Sequence, residues 1–95
     1  MPAYLIADVD VHDQDVYAEY RRQVAPLIQK HGGRFIVRGG AHEVLEGAWQ
    51  PHRLVVIEFP DMAALKAWYR SPEYAKLIEL RQGVSRGSLV AVEGA

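Results

Sequence analysis

Arg38, Glu58 and Asp8 are charges on segments that otherwise read as apolar strands, and they are the first candidates for chemistry. A buried charge is costly unless it is paired, so each needs a reason to be there. In one reading Arg38 holds an anionic substrate group while Asp8 or Glu58 accepts a proton. In the other, the three form an internal or interfacial ion network that fixes dimer register. His42, whose unperturbed pKa lies near neutrality, is a candidate general base, or else an exposed edge-strand histidine. The run HEVLE that starts at His42 has one histidine and reads as strand, so it lacks the ligand count and geometry of a zinc site. His12, His31 and His52 sit at element ends, and no pair has metal-ligand spacing. No metal is expected.

Aromatic residues supply candidate walls. Trp49 lies in a loop, where it could close over a planar ligand or reach a partner subunit. Trp68, Tyr69 and Tyr74 have helical spacing towards the core, which suits packing or the lining of a pocket between helix and sheet. Arg81 is either a second anion-binding group or a snorkelling side chain at a helix end. The glycine pairs Gly32-Gly33 and Gly39-Gly40 make neither a P-loop nor a GxGxxG turn. Ser71, Ser85 and Ser88 lack the setting of a nucleophile elbow. With no cysteine in the chain, disulfides, thiolate metal sites and cysteine nucleophiles are excluded. No motif fixes a reaction, and no cofactor is expected.

The elements that must position these residues follow from hydrophobic period. Tyr4–Val11 alternates, with Leu5, Ala7, Val9 and Val11 on one face, and predicts a strand. Asp13 is a fair N-cap for a helix to about His31, whose stripe is Val16, Tyr20, Val24, Leu27 and Ile28. Pro26 should bend that helix or end its regular part, and Gly32 suits the C′ position. Arg34–Arg38 predicts a strand with Phe35 and Val37 on one face and Arg34, Ile36 and Arg38 on the other. Gly39-Gly40 suits a bulge or turn, and Glu43–Glu46 an edge segment. Arg53–Phe59 is apolar on both faces, so both should be covered. Asp61 caps a helix with Met62, Leu65, Trp68 and Tyr69 inside. Ser71-Pro72-Glu73 starts another, with Tyr74, Leu77, Ile78 and Arg81 inside. Gly83 and Gly87 bracket a loop before a last strand, Ser88–Glu93.

That order is βαββαβ, an α+β ferredoxin-like domain with a four-stranded antiparallel sheet and helices on one face. Ninety-five residues make one such domain. The helices leave the other sheet face bare, and a second copy packing sheet against sheet is the economical cover. Eleven basic against twelve acidic residues argue against a nucleic-acid partner. The topology also occurs in RNA-recognition modules, but RLVVIEF offers only Phe59 for stacking. The N-terminus has no basic flank of a signal peptide, and no apolar run approaches the roughly 20 residues of a membrane span, so a cytoplasmic protein is expected.

The runs GGRFIVRGG, EVLEG, RLVVIEFP, AWYRSPEY and LRQG…LVAVEG, in order over nearly the whole chain, resemble the bacterial family catalogued as domain of unknown function 1330. The resemblance implies the dimeric α/β-barrel superfamily: ferredoxin-like protomers with packed sheets and a cleft in each subunit. Relatives there include cofactor-free monooxygenases, muconolactone isomerases and haem-dependent chlorite dismutases. A haem would need an axial histidine facing a wide cavity, which nothing in the sequence marks. The family brings fold and assembly without a reaction.

The function expected is therefore a metal-free enzyme acting by proton transfer or oxygen chemistry on a planar or carboxylate-bearing molecule. Arg38 would anchor the substrate, His42, Glu58 or Asp8 would move the proton, and Trp49 or Trp68 would form the wall, with Tyr69 and Arg81 in reserve. The rival is a non-catalytic metabolite-binding or interaction dimer. The bare sheet face yields a first prediction: sedimentation at micromolar concentration gives the mass of a homodimer, and a monomeric mass contradicts the assembly.

Overall fold

Alternation along the first strand decides which side of the sheet the helices take. In the computed structural model, which describes all 95 residues, β1 spans Ala3–Val11. Ala3, Leu5, Ala7 and Val9 are buried, and Tyr4, Ile6, Asp8 and Asp10 are half-buried on the opposite face. α1 follows over Gln14–Lys30, then β2 (Arg34–Arg38), β3 (Leu54–Phe59), α2 (Met62–Tyr69), α3 (Pro72–Val84) and β4 (Ser85–Glu93). The strands lie in the order β2-β3-β1-β4, every pair antiparallel. This is the expected ferredoxin-like sheet, with the second helix divided in two. No helix is long and apolar enough to cross a membrane.

Capping sets the helix bounds. The Asp13 carboxylate accepts from the Val16 amide at 3.1 Å, Asp61 from Ala64 at 2.8 Å, and the Ser71 hydroxyl from Tyr74 at 3.2 Å. α1 ends in a Schellman motif: the Gly33 amide donates to the Ile28 carbonyl and the Gly32 amide to Gln29, with Gly32 at φ 82°. Pro26 does not end the helix, which runs on to Lys30. It lies on the exposed side beside exposed Arg22, whose carbonyl, left without its usual donor, can take water instead. Tyr17, rather than the expected Val16, completes the buried stripe.

Other expectations are corrected. Glu43–Glu46 is not a strand, and residues 40–53 form an irregular connection. No loop separates Gly83 from Gly87. α3 runs to Val84, and β4 begins at Ser85, three residues early, because pairing with β1 extends to Val11 opposite Ser85. Gly87 faces Val9 within that ladder, where a β carbon would strike the Asp8 carbonyl. Its glycine serves close strand approach, not a turn. Tyr69 is 37% exposed and stands off the buried face of α2.

The most consequential difference is a bulge. Arg34 pairs with Glu58 and Phe35 with Ile57, but Val37 then pairs with Val56 and Arg38 with Val55, leaving Ile36 as the extra residue. The bulge is therefore at Ile36 and not at the glycines. One inserted residue switches the faces that follow it. Val37 moves to the open face beside Arg34, and Arg38 joins Phe35 beneath the helices. Gly39, at φ 70°, donates to the Leu54 carbonyl at 2.7 Å and closes β2.

The core sits between the sheet and the helices, where Trp68, Tyr74, Phe59 and Ile28 are the largest fully buried side chains. Trp68 packs on Phe59 at 5.5 Å and on Tyr74 at 4.3 Å between ring centroids. The opposite face carries exposed Val37, Val90 and Val92 with no element over it. Gly32 at its positive φ yields a stability prediction. Gly32→Ala, whose β carbon would also press on Pro60, lowers unfolding free energy by about 1–2 kcal/mol in urea titrations. An unchanged midpoint contradicts that role.

Candidate functional site

The residue parity of β3 carries one step beyond the strand. Arg53 shares the helix-side face with Val55, Ile57 and Phe59, and its carbonyl accepts from the Val9 amide at 3.0 Å. Its guanidinium passes directly over Gly39, in the space a β carbon would take. From α3, Arg81 follows Tyr74 and Leu77 on the buried face and is only 6% exposed. Arg38 arrives through the Ile36 bulge and lies 4.2 Å over the Phe35 ring. Arg21, from α1, lies 5.9 Å over the Tyr17 ring.

These four arginines line one narrow cleft between the helices and the sheet, of about 60 Å³. Its walls are apolar and aromatic: Phe35, Val55 and Ile57 from the sheet, Tyr17, Tyr20, Trp68 and Tyr74 from the helices. No carboxylate lines it. The ion pairs of the molecule involve Arg22, Lys30, Arg34, His12 and His52, and none involves the four cleft arginines. The Nε atoms of Arg53 and Arg81 and the indole nitrogen of Trp68 are buried without a hydrogen-bond partner. Such orphaned donors are rare in folded chains and call for a partner.

Three tyrosines complete the cleft. Tyr20 and Tyr74 share a buried hydrogen bond of 2.8 Å. Burial pushes the Tyr20 hydroxyl far above its ordinary pKa, and the neighbouring Tyr74 adds to this. Burial also raises Tyr74, though Tyr20 and Arg81 pull it back, and raises Tyr17 against the fields of Arg53, Arg81 and Arg21. All three are held as protonated phenols, with one O–H of the Tyr20–Tyr74 pair taken up by the other hydroxyl. Outside the mouth lies a polar vestibule with Asp10, Gln14 and His52, which shares Val9, Tyr17, Arg21 and Arg53 with the cleft.

The sequence-selected residues divide between the two faces of the sheet. Arg38, Arg81 and Trp68 line the cleft. Asp8 and Glu58 stand on the open face, away from Arg38, so the three do not form one cluster. Glu58 pairs with Arg34 at 2.9 Å, and its hydrogen bond to Tyr4, opposite it on β1, raises the Tyr4 pKa. Asp8 accepts from the Trp49 indole and from the His52 amide, both at 2.9 Å, and so ties residues 40–53 to the sheet. Trp49 is otherwise 59% exposed. His42 is exposed in that connection, its Nε2 3.0 Å from the Pro51 carbonyl. Tyr69 touches the rims of Trp68 and Tyr74 without lining the cleft. Arg53, Arg21, Tyr17 and Tyr20 were not selected from the sequence as site residues, Tyr20 being read only as part of the helix stripe and Arg53 only as the start of a strand. Strand parity was the signal for Arg53, and helical spacing from Tyr20 and Val24 the signal for Tyr17.

Fold and cleft together define a ferredoxin-like α+β protein with a cationic, aromatic-walled cavity under its helices. The chain belongs to the family described as domain of unknown function DUF1330, whose model matches residues 2–95. It is similar to a protein of unknown function from Rhodopseudomonas palustris (TM-score 0.80, 21% identity, 99% of this chain and 82% of that one). A dimeric ferredoxin-like protein of unknown function from Jannaschia is also similar (0.73, 17%, 99% and 100%). So is a cofactor-independent oxygenase from Streptomyces nogalater (0.68, 11%, 99% and 93%). At these identities the likeness is one of fold. No curated protein matches.

Asp8 makes a pH prediction. Partial burial pushes its carboxyl up, but the His52 amide and Trp49 indole bonds outweigh that, and its pKa lies below the ordinary 3.8. A depressed carboxylate stabilises the fold above its unfolded pKa, and that stability is lost as pH falls through the folded value. Asp8→Asn therefore lowers stability at neutral pH and flattens its decline below about pH 4, measured by urea unfolding at several pH values. An acid profile identical to that of the wild type contradicts the latch.

Proposed function

We propose that this chain is a small homodimeric α/β-barrel protein that binds a planar organic anion in the cleft beneath its helices and acts on it without a metal. The carrying observation is Arg81, 6% exposed, facing an apolar cavity with no carboxylate to neutralise it. A buried guanidinium without a counter-charge costs several kcal/mol, and an anionic ligand would remove that cost. Arg38 is a second anchor. Trp68 and Phe35 would form walls for a planar body, and Tyr17 and whichever of Tyr20 and Tyr74 accepts in their mutual bond would donate to its oxygens.

The chemistry such a cleft favours is stabilisation of a conjugate base. Fixed guanidinium charges in a water-poor cavity lower the pKa of an enol, phenol or carbon acid bound there. The anion so formed can be reprotonated elsewhere, which is isomerisation, or can react with molecular oxygen. The fold relationship to a cofactor-independent oxygenase supports the second course. With His42, Glu58 and Asp8 outside the cleft, the imidazole available at its mouth is His52, 3.8 Å from Asp10. Glu58 with Arg34, and Trp49 held by Asp8, lie on the face we assign to the partner subunit, where the ion pair would set register. The dimeric ferredoxin-like relative supports that assembly.

The absence of any carboxylate or imidazole from the inner cleft favours a second reading, a protein that binds a ready-made anion without turning it over. Both readings share a prediction. Arg81→Met raises unfolding free energy by about 1 kcal/mol or more, because an uncompensated charge gives way to an apolar side chain. The same change weakens benzoate binding at least tenfold by calorimetry. A destabilised variant that binds benzoate as tightly as the wild type overturns the assignment.

A further inference from the structure

Resting on the anion-binding reading above, we infer that the cleft is built for an elongated ligand with an acidic group at each end, a planar dicarboxylate or its phenol-carboxylate equivalent. The four arginines do not occupy one place. Arg53 and Arg21 border both the cleft and the polar vestibule outside it, so they stand at the mouth. Arg81 borders the cleft alone and is almost fully buried. Tyr17 borders both spaces as well, whereas Tyr20 and Tyr74, joined by their buried hydrogen bond, border the cleft with Arg81 and not the vestibule. The rest of the cleft wall is largely apolar.

Each station carries its own unfilled donor. The Nε of Arg81 and the Nε of Arg53 are both buried and without a partner. One monoanion can satisfy one of them and leaves the other guanidinium uncompensated. A rigid ligand with a carboxylate at each end satisfies both, and its flat middle would lie along the apolar wall. Guanidinium forks are matched to carboxylate geometry, which favours carboxylates at the two ends.

The test compares three probes by calorimetry on the wild-type protein: benzoate, benzene-1,4-dicarboxylate and benzene-1,2-dicarboxylate. The expected result is that the 1,4-dicarboxylate binds at least tenfold more tightly than benzoate and than the 1,2-isomer, whose charges sit at one end. Arg53→Met brings the 1,4-dicarboxylate and benzoate affinities together. If benzoate binds but the 1,4-dicarboxylate gains nothing, the two-station inference fails while the anion site stands. Equal affinity for both dicarboxylates overturns it as well, since charge alone would then suffice. If none of the three binds, the anion-binding reading falls and the inference falls with it.

Discussion

Positive charge placed under a sheet without a counter-ion is the constraint around which the molecule is arranged. Most of the helix-side interior obeys ordinary packing: valines, isoleucines and aromatics from alternate strand positions meet one stripe from each helix. Into that interior the chain sends Arg81 from α3 and, half-buried, Arg53 from the start of β3, with the exposed Arg38 at the end of β2 bordering it. Its carboxylates are elsewhere, on the surface or on the far side of the sheet. Folding alone gains nothing from such an arrangement, because a methionine or leucine at position 81 would pack at lower cost. Retaining the guanidinium makes sense if the counter-charge arrives from outside. Strain of this kind belongs to a site and is offset by the packing around it.

Two backbone details make the convergence possible. The extra residue at Ile36 rotates Arg38 from the open face to the helix face, and Gly39 leaves the room that the Arg53 side chain crosses. Neither was legible in the sequence. A bulge changes parity without changing composition, so RFIVR reads as a regular strand whichever way it is paired. The glycine pair looked like the irregularity, yet it only ends the strand. Helix caps, by contrast, were readable at Asp13, Asp61 and Ser71, because a short polar side chain followed by an amphipathic run has one economical use. The element order and the bare face followed from the same periodicity. Arg81 was legible as a candidate because its helical spacing from Tyr74 and Leu77 placed it inside. Arg53 was included as the first residue of the expected strand but was not weighed as a site residue, although its parity places it with Val55, Ile57 and Phe59.

The two sheet faces divide the labour. On the helix side are the arginines and tyrosines. On the open side, Asp8 gathers the Trp49 indole and the His52 amide and so fixes the far end of the 40–53 connection, whose next residue is Arg53. The carboxylate chosen from sequence for proton transfer thus holds the chain that delivers a cleft arginine. Glu58, beside Arg34 and Tyr4, forms a polar cluster among exposed valines, the kind of feature that orients one sheet on another. Family membership agrees with this fold from end to end, and the cleft is where we propose that this chain's own side chains bind a ligand.

The central claim is that the orphaned Nε–H groups of Arg53 and Arg81 are ligand donors. Arginine Nε–H resonances in a proton–nitrogen correlation spectrum report on it directly, atom by atom, without any assumption about turnover. Titration with benzene-1,4-dicarboxylate should shift the Arg81 and Arg53 Nε–H signals together along one saturable curve, while those of surface Arg22 stay still. Uniform small shifts of all arginines, or no movement at Arg81, would contradict the account and leave the cleft as a costly piece of core.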